Sequence, residues 1–346
     1  MEGLNLKQLA ATVHSIAEEK NLPEETVLNV VEQAIAAAWR RDNGDRDLNV
    51  RAILNQNNGT AKIIVRYDVV ETPENASQLS LEEAKKIDKH ALLEGIIEQE
   101  FEATSFGRVA AQTAKQVLLQ KLREAEREVV ATEFNDKVGQ VLTGTVARVE
   151  PRVVRIEIGR GAGIMPASEQ VPGERLQVGA RIKVLLKEID RDQRGPQIIL
   201  SRAAPDFVKI LFQQEVPEID NGTVEIKAIA REAGRRTKIA VNSSVPGVDP
   251  VGTFVGGKGV RVQAVMNEIG DAEKIDIVTW DGDIKNFIAN ALSPAEISRI
   301  DIDEDNKKAT VYVNESQQSI AIGKQGQNVR LASALTGYEL DIATEG

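Results

Sequence analysis

Two short loops carry the chemistry most readily available to this chain: Gly256-Gly257-Lys258-Gly259 and Gly323-Lys324-Gln325-Gly326. A glycine pair lets one backbone approach another closely, because no Cβ stands between them. Each loop opens an apolar-patterned stretch that ends at a glycine, Gly270 in the first case and Gly337 in the second. The start of a helix carries unpaired N–H groups and partial positive charge, so a phosphate is its natural guest. Lys258 and Lys324 add a mobile cation, and Arg261 and Arg330 follow close behind. The candidate phosphate contacts are therefore Gly256, Gly257, Lys258, Gly259 and Arg261, then Gly323, Lys324, Gln325, Gly326, Gln327, Asn328 and Arg330.

The spacing alone is weak, since 26 glycines in 346 residues would supply about two such tetrads by chance. The shared frame is the stronger signal. An apolar residue precedes each loop (Val255, Ile322), and a β-like run follows each helix, over 274–278 and 339–342. One supersecondary unit is used twice, as in internal repeats generally. Such a loop resembles that of the KH domain, which clamps the backbone of about four nucleotides. Other nucleotide motifs fit less well. A P-loop needs Ser or Thr after its lysine, but Gly259 follows Lys258 and Gln325 follows Lys324. A dinucleotide fingerprint needs three glycines after a strand and an acid about 20 residues on, which neither loop has. By the KH resemblance, aspartates at Gly323 and Gly326 are expected to abolish much single-stranded RNA affinity and leave the fold intact.

The elements that position these loops read as four domains. Residues 1–136 begin with helices over about 4–19 and 23–41, the second ending in Arg40-Arg41. A hairpin over 48–70 turns at Asn57-Asn58-Gly59, and Ser80-Leu81-Glu82-Glu83 is a capping box. A long helix is predicted over about 105–134 from the stripe Ala114, Leu118, Leu122, Ala125, Val129. Residues 137–202 contain five short β runs, which suggest an OB-type barrel resembling S-one-type RNA-binding domains. No Phe, Tyr, Trp or His lies between Phe134 and Phe207, so base stacking is absent there and RNA contact falls to cations such as Arg148, Arg152, Arg155 and Arg160. Residues 203–280 and 281–346 each read helix–strand–strand–helix–helix–strand, the order of the bacterial-type KH fold. The fold class is multidomain α+β: an α-helical and α+β N-terminal domain, an OB barrel, and two tandem KH domains.

Composition bounds the function. The net charge is −10, distributed as −8 over 1–136, +5 over 137–202, −2 over 203–280 and −5 over 281–346. Bulk charge will not hold nucleic acid, so binding depends on local patches. There is no cysteine, which excludes disulfides and thiolate metal sites and fits a reducing cytoplasm. His14 and His90 lack partners at ligand spacing, and the acidic run Asp301–Asn306 lacks the Gly and Glu of a calcium loop. No catalytic set, cofactor site or membrane segment is expected.

The order of domains resembles the NusA family of bacterial transcription elongation, termination and antitermination factors. The similarity is carried by residues 106–116 (Phe-Gly-Arg-Val-Ala-Ala-Gln-Thr-Ala-Lys-Gln), 215–219, 238–241, 249–252, 261–265, 290–295 and 322–332. It implies a cytoplasmic, monomeric factor that binds RNA polymerase near its flap and RNA exit channel, meets nascent single-stranded RNA, and works with other antitermination factors. Arg40, Arg41 and Arg108 are the implied contacts to polymerase or exit-channel RNA. Some members carry C-terminal acidic repeats, and functions tied to them are expected to be absent from a chain that ends after its second KH unit. The competing readings are an RNA-decay protein with KH and OB modules, or a translational RNA-binding module.

Overall fold

The computed structural model describes residues 4–43, 47–192, 195–270 and 272–345. It divides into two compact units: residues 1–133 with 191–196, and residues 134–190 with 197–346.

The first unit is built on a sheet with helices laid against it. Strand β1 (Leu4–Asn5) leads into α1 (Leu6–Lys20), α2 (Glu24–Asp42), β2 (Asn49–Asn55), β3 (Thr60–Val70), β4 (Gln78–Ser80) and α3 (Leu81–Ile87). Then come β5 (Ile96–Ala103), β6 (Ser105–Phe106) and α4 (Arg108–Phe134). The Ser80–Glu83 capping box is present and starts α3. Strand β3 is central, pairing antiparallel with β2 and β5 and parallel with β4. Residues alternate strictly along β2, with Val50, Ala52 and Leu54 inside against Val27, Val31 and Ile35 of α2. Two expectations change here. Strand β5 was not read from the sequence. Residues 105–106 pair with β1 and do not begin the long helix. Gly107 ends that strand pair, its N–H donating to Asp42 at 3.2 Å.

The second unit begins with a closed barrel of β7 (Val141–Glu150), β8 (Val153–Ile158), β9 (Gly161–Pro166), β10 (Arg181–Asp192) and β11 (Gly195–Ser201), in the order β10-β11-β9-β8-β7. Closure removes the sheet edges. The interior is filled by side chains including Val146, Ile156, Met165, Leu186 and Leu200. Two units of one topology follow. The first is α5 (Pro205–Glu215), β12 (Val224–Glu232), β13 (Arg236–Ser243), α6 (Pro250–Val255), α7 (Val260–Ile269) and β14 (Lys274–Thr279). The second is α8 (Ile284–Leu292), β15 (Arg299–Asp303), β16 (Lys308–Val313), α9 (Glu315–Ile322), α10 (Gln327–Thr336) and β17 (Glu339–Thr344). In each, the middle strand pairs antiparallel with the strand before it and parallel with the last.

Strand β13 is buried on both faces. Ile239 and Val241 pack into the core of the first unit, with Phe207, Phe212 and Phe254. On the opposite face Ala240, with Ala230 and Val278, joins the core of the second unit, with Phe287, Ile288 and Leu331. The two units thus share a continuous apolar core. Lys238 lies fully buried on that strand, and its ammonium reaches Asp276 and the carbonyl of Ser293, both at 3.3 Å. Burial pushes its pKa down, against the pull of Asp276.

The barrel is joined to the first of the two repeated units by two buried guanidinium groups beside Phe207. Arg202 lies 5.2 Å and Arg231 6.0 Å from the ring centroid. Arg202 donates to Glu174 at 2.6 Å, to the carbonyl of Lys183 at 2.6 Å, and to Glu268 of α7 at 3.1 Å. Arg231 donates to the carbonyls of Arg202 and Ala204 and binds Glu273 with both prongs, at 2.8 and 3.0 Å. Thr237 and the Gly234 amide complete the shell of Glu273. Breaking one partner of a buried pair leaves the other charge unsatisfied, at a cost of about 3–5 kcal/mol. Glu273→Gln is therefore expected to lower the unfolding free energy of the unit of residues 134–190 and 197–346, measured in urea, by an amount of that order. A loss below about 1 kcal/mol, the range of exposed pairs, contradicts this account.

Candidate nucleic-acid interface

The two glycine loops have the same backbone. Gly256 and Gly323 both sit at φ +74° with ψ 168° and 171°. Lys258 and Gln325 both adopt left-handed angles, φ 57° and 56°. Gly259 and Gly326 follow at φ 78° and 73°, each capping the next helix. Left-handed geometry is uncommon for residues other than glycine and concentrates at functional sites. The loops therefore correspond position by position, but their lysines do not. Lys258 holds the third place of its tetrad and Lys324 the second.

The outer and middle positions have different jobs. A Cβ on Gly256 would stand 2.8 Å from Cγ of Arg261, and one on Gly323 would stand 2.7 Å from Cβ of Asn328. Gly257, Lys258, Lys324 and Gln325 are exposed, and a Cβ on Gly257 would meet nothing within 4 Å. Neither lysine makes an ion pair or side-chain hydrogen bond among the described residues. The middle pair and its lysine are thus exposed in both loops. The expected harmless aspartate at Gly323 is corrected, because that site lacks both the space and the backbone angle for a side chain.

Arg261 and Asn328, read from the sequence as ligand contacts, are fasteners within the fold. They occupy matching places, each the second residue of its helix. Arg261 donates to the carbonyl of Thr253 at 2.8 Å and to Glu218 at 3.0 Å. Asn328, only 3% exposed, donates to the carbonyls of Leu292, Ile320 and Ala321. Each ties its loop to the preceding helix. Hydrogen bonding from Arg261 holds the Glu218 carboxyl below the usual carboxylate range. Gln327 and Arg330 bind a carboxylate of the neighbouring unit, Glu232, at 2.9 and 2.6 Å.

On the barrel, Arg148 and Arg155 face each other across β7 and β8. Like charges in that relation repel, and Glu150 lies between them, 3.1 Å from Arg148 and 3.5 Å from Arg155. Arg152 and Arg160 are exposed in the adjoining turns, and neither side chain is paired among the described residues. In the first unit, Arg40, Arg41 and Arg108 line one concavity of about 630 Å³ with Ala37, Val109, Gln112 and Thr113. Arg40 and Arg41 end α2, where cations suit the helix dipole. Arg108 begins α4, where a cation opposes it, a local conflict of the kind found at functional sites. Among the described residues no group of His, Cys, Asp and Glu could hold a metal ion, and no helix is long and apolar enough to cross a membrane.

Comparison with known proteins bears on this arrangement. Residues 8–128 match the NusA N-terminal domain, 135–202 the S1 RNA binding domain, 202–280 the NusA-like first KH domain and 284–346 the NusA-like second KH domain. A Bacillus subtilis protein, "Transcription termination/antitermination protein NusA", is 44% identical over 331 residues, covering 95% of this chain and 89% of that protein. The chain belongs to the NusA family. A Thermus thermophilus NusA of the same description is 42% identical, covering 96% of this chain and 89% of its own. The solution structure of the N-terminal domain of B. subtilis NusA is 35% identical, covering 35% of this chain and 98% of that one, with a TM-score of 0.27. Both glycine loops fall inside the NusA-like KH matches, and the Arg148–Arg155 pair falls inside the S1 match.

The carboxylates Glu218 and Glu232, which hold Arg261 and Arg330, were missed in the sequence because their partners lie 43 and 98 residues away along the chain. Two outcomes test the loop geometry. Gly323→Ala is expected to destabilise the protein by about 1–3 kcal/mol, and Lys324→Ala by less than about 0.5 kcal/mol; equal losses in urea denaturation would refute the division of roles. The lowered Glu218 value adds a pH dependence. Its pair with Arg261 stabilises fully above the unfolded carboxyl value near pH 4.3, and this is lost as pH falls through the lower folded value. The gap in urea midpoint between wild type and Glu218→Gln should therefore hold from neutrality to about pH 4.3 and narrow below it. A gap that does not narrow on acidification would show that the ion pair is not its source.

Proposed function

We propose that this chain is an RNA-binding transcription termination/antitermination factor that works on RNA polymerase and its nascent transcript, modulating pausing, termination and antitermination. The observation that carries the reading is the repeated glycine loop, with one backbone geometry built twice and its middle pair exposed each time. Such a loop offers phosphates a close backbone, a helix start and one free lysine, and demands no particular base. Family membership supports the transcriptional role. The domain limits we favour are 1–136, 137–202, 203–280 and 281–346.

The arginine concavity of Arg40, Arg41 and Arg108 is proposed as the contact to polymerase, at its flap or exit-channel region. The factor is proposed to act as a cytoplasmic monomer without cofactor or catalytic activity. Its barrel is assigned weak RNA contact through Arg148, Arg152 and Arg155. The aromatic-free barrel and the intramolecular pairing of most candidate arginines favour modest intrinsic RNA affinity, with delivery by polymerase making up the difference. An RNA-decay role has no observation in its favour, and phosphate-dependent RNA degradation by the purified chain would overturn our reading.

Two measurements test the assignment. Lys258→Gln and Lys324→Gln should each weaken binding of a single-stranded oligoribonucleotide and flatten the salt dependence by about 0.7 in log–log slope, as expected for one lost phosphate contact. Arg40→Ala, Arg41→Ala and Arg108→Ala combined should weaken retention on core RNA polymerase and leave free-RNA affinity unchanged. Wild-type slope in both lysine variants, or full retention in the triple variant, would remove the corresponding site.

A further inference from the structure

Glu232 ends β12 in the first KH unit, yet its carboxylate lies at the second glycine loop. One oxygen accepts from Arg330 Nε at 2.9 Å and Nη2 at 2.6 Å, and the other accepts from Gln327 Nε2 at 2.9 Å. Arg330 Nη1 donates to the carbonyl of Gln325, inside the loop itself, at 2.7 Å. The cation and amide nearest the exposed middle pair are therefore both held by an internal anion. Carboxylate and phosphate present similar oxygens to a guanidinium, which can bind either one with two prongs.

The first loop differs. Arg261 is folded beneath Gly256 and tied to Thr253, so its pair with Glu218 belongs to the fold. Arg330 is 55% exposed, and its partner carboxylate 24%. An exchange of partner at this site needs no repacking of the core. The docking of the two units rests on other contacts as well, namely Lys238 with Ser293 and the shared apolar core.

We propose that Glu232 is a resident anion that occupies Arg330 and Gln327 while RNA is absent and yields them to an RNA phosphate at the second loop. The proposal rests on reading that loop as an RNA clamp. It makes Glu232 an attenuator, whose competition sets the affinity of the second KH domain below what its cations could give. Burial pushes the Glu232 carboxyl up, but the hydrogen bonds from Gln327 and Arg330 outweigh this and hold it below the usual range, so it is charged at neutral pH.

The test uses the full chain with a fluorescein-labelled, all-adenosine oligoribonucleotide, read by anisotropy across a salt series. Glu232→Gln is expected to bind roughly two- to five-fold tighter at low salt, the scale of an exposed ion pair released. Its slope should match that of wild type, because Arg330 reaches the phosphate in both once RNA is bound. Arg330→Gln alone should change affinity by less than about two-fold, and Glu232→Gln with Arg330→Gln should lose the gain. Trp280, packed at the core shared by the two units, should keep its emission spectrum. A gain that persists without Arg330 would mean simple relief of repulsion and overturn the proposal. A fall in affinity or a shifted Trp280 emission would make Glu232 a structural tie, again overturning it. A wild type without measurable affinity overturns this inference and the RNA-clamp reading together, whereas Glu232→Gln equal to a binding wild type overturns this inference alone.

Discussion

Two adjacent residues at the end of one strand, Arg231 and Glu232, face the two junctions of the second unit. Neighbouring residues on a strand point to opposite faces, so Arg231 and Glu232 must look different ways. Arg231 turns toward Glu273 and the carbonyls of Arg202 and Ala204, where the barrel joins the first KH domain. Glu232 turns toward Gln327 and Arg330 of the second KH domain. A one-residue slip of β12 would bury the wrong charge at both junctions at once. Its pairing with β13 keeps this register, with Arg231 opposite Thr237 and Glu232 opposite Arg236. The barrel and both glycine loops consequently belong to one frame.

The repeated loop shows what its backbone geometry requires and what it leaves free. Both copies keep glycine where the chain crosses the following helix, and both keep a side chain there that binds carbonyls of the preceding helix. That side chain is Arg261 in one copy and Asn328 in the other. The geometric demand is a donor in a fixed place, and two different residues meet it. The free cation is less constrained, because a mobile lysine can reach a phosphate from either middle position. Its shift from third to second place follows from that freedom.

Much of this was legible in the chain. The helix–strand–strand–helix–helix–strand order, the five barrel strands, the capping box and the NusA-family resemblance all rest on local patterns that the structure keeps. The charged alternation of β5 hid the strand, of which Ile97 and Ala103 are buried and Phe101, half exposed, lies against Trp39 with ring centroids 5.3 Å apart. The burial of Lys238 in an apolar run was equally opaque, since lysine ordinarily marks a surface. The pairing of Arg261, Arg330, Arg148 and Arg155 with carboxylates was illegible for a different reason. Sequence shows which residues carry charge and gives no sign of which charges are already satisfied. The concavity of Arg40, Arg41 and Arg108 needed the fold as well, because 66 residues separate Arg41 from Arg108 before Asp42 and Gly107 bring the two helix ends together.

The central claim is that the exposed middle pairs of both loops touch one emerging RNA strand while the factor sits on polymerase. Photo-crosslinkers placed at Gly257 and at Gln325, in a transcription elongation complex reconstituted with nascent RNA, address it directly. The account predicts crosslinks from both positions to nascent RNA, at distinct nucleotides of the same transcript. Crosslinks to polymerase alone, or to RNA from neither position in a complex that retains the factor, would contradict it.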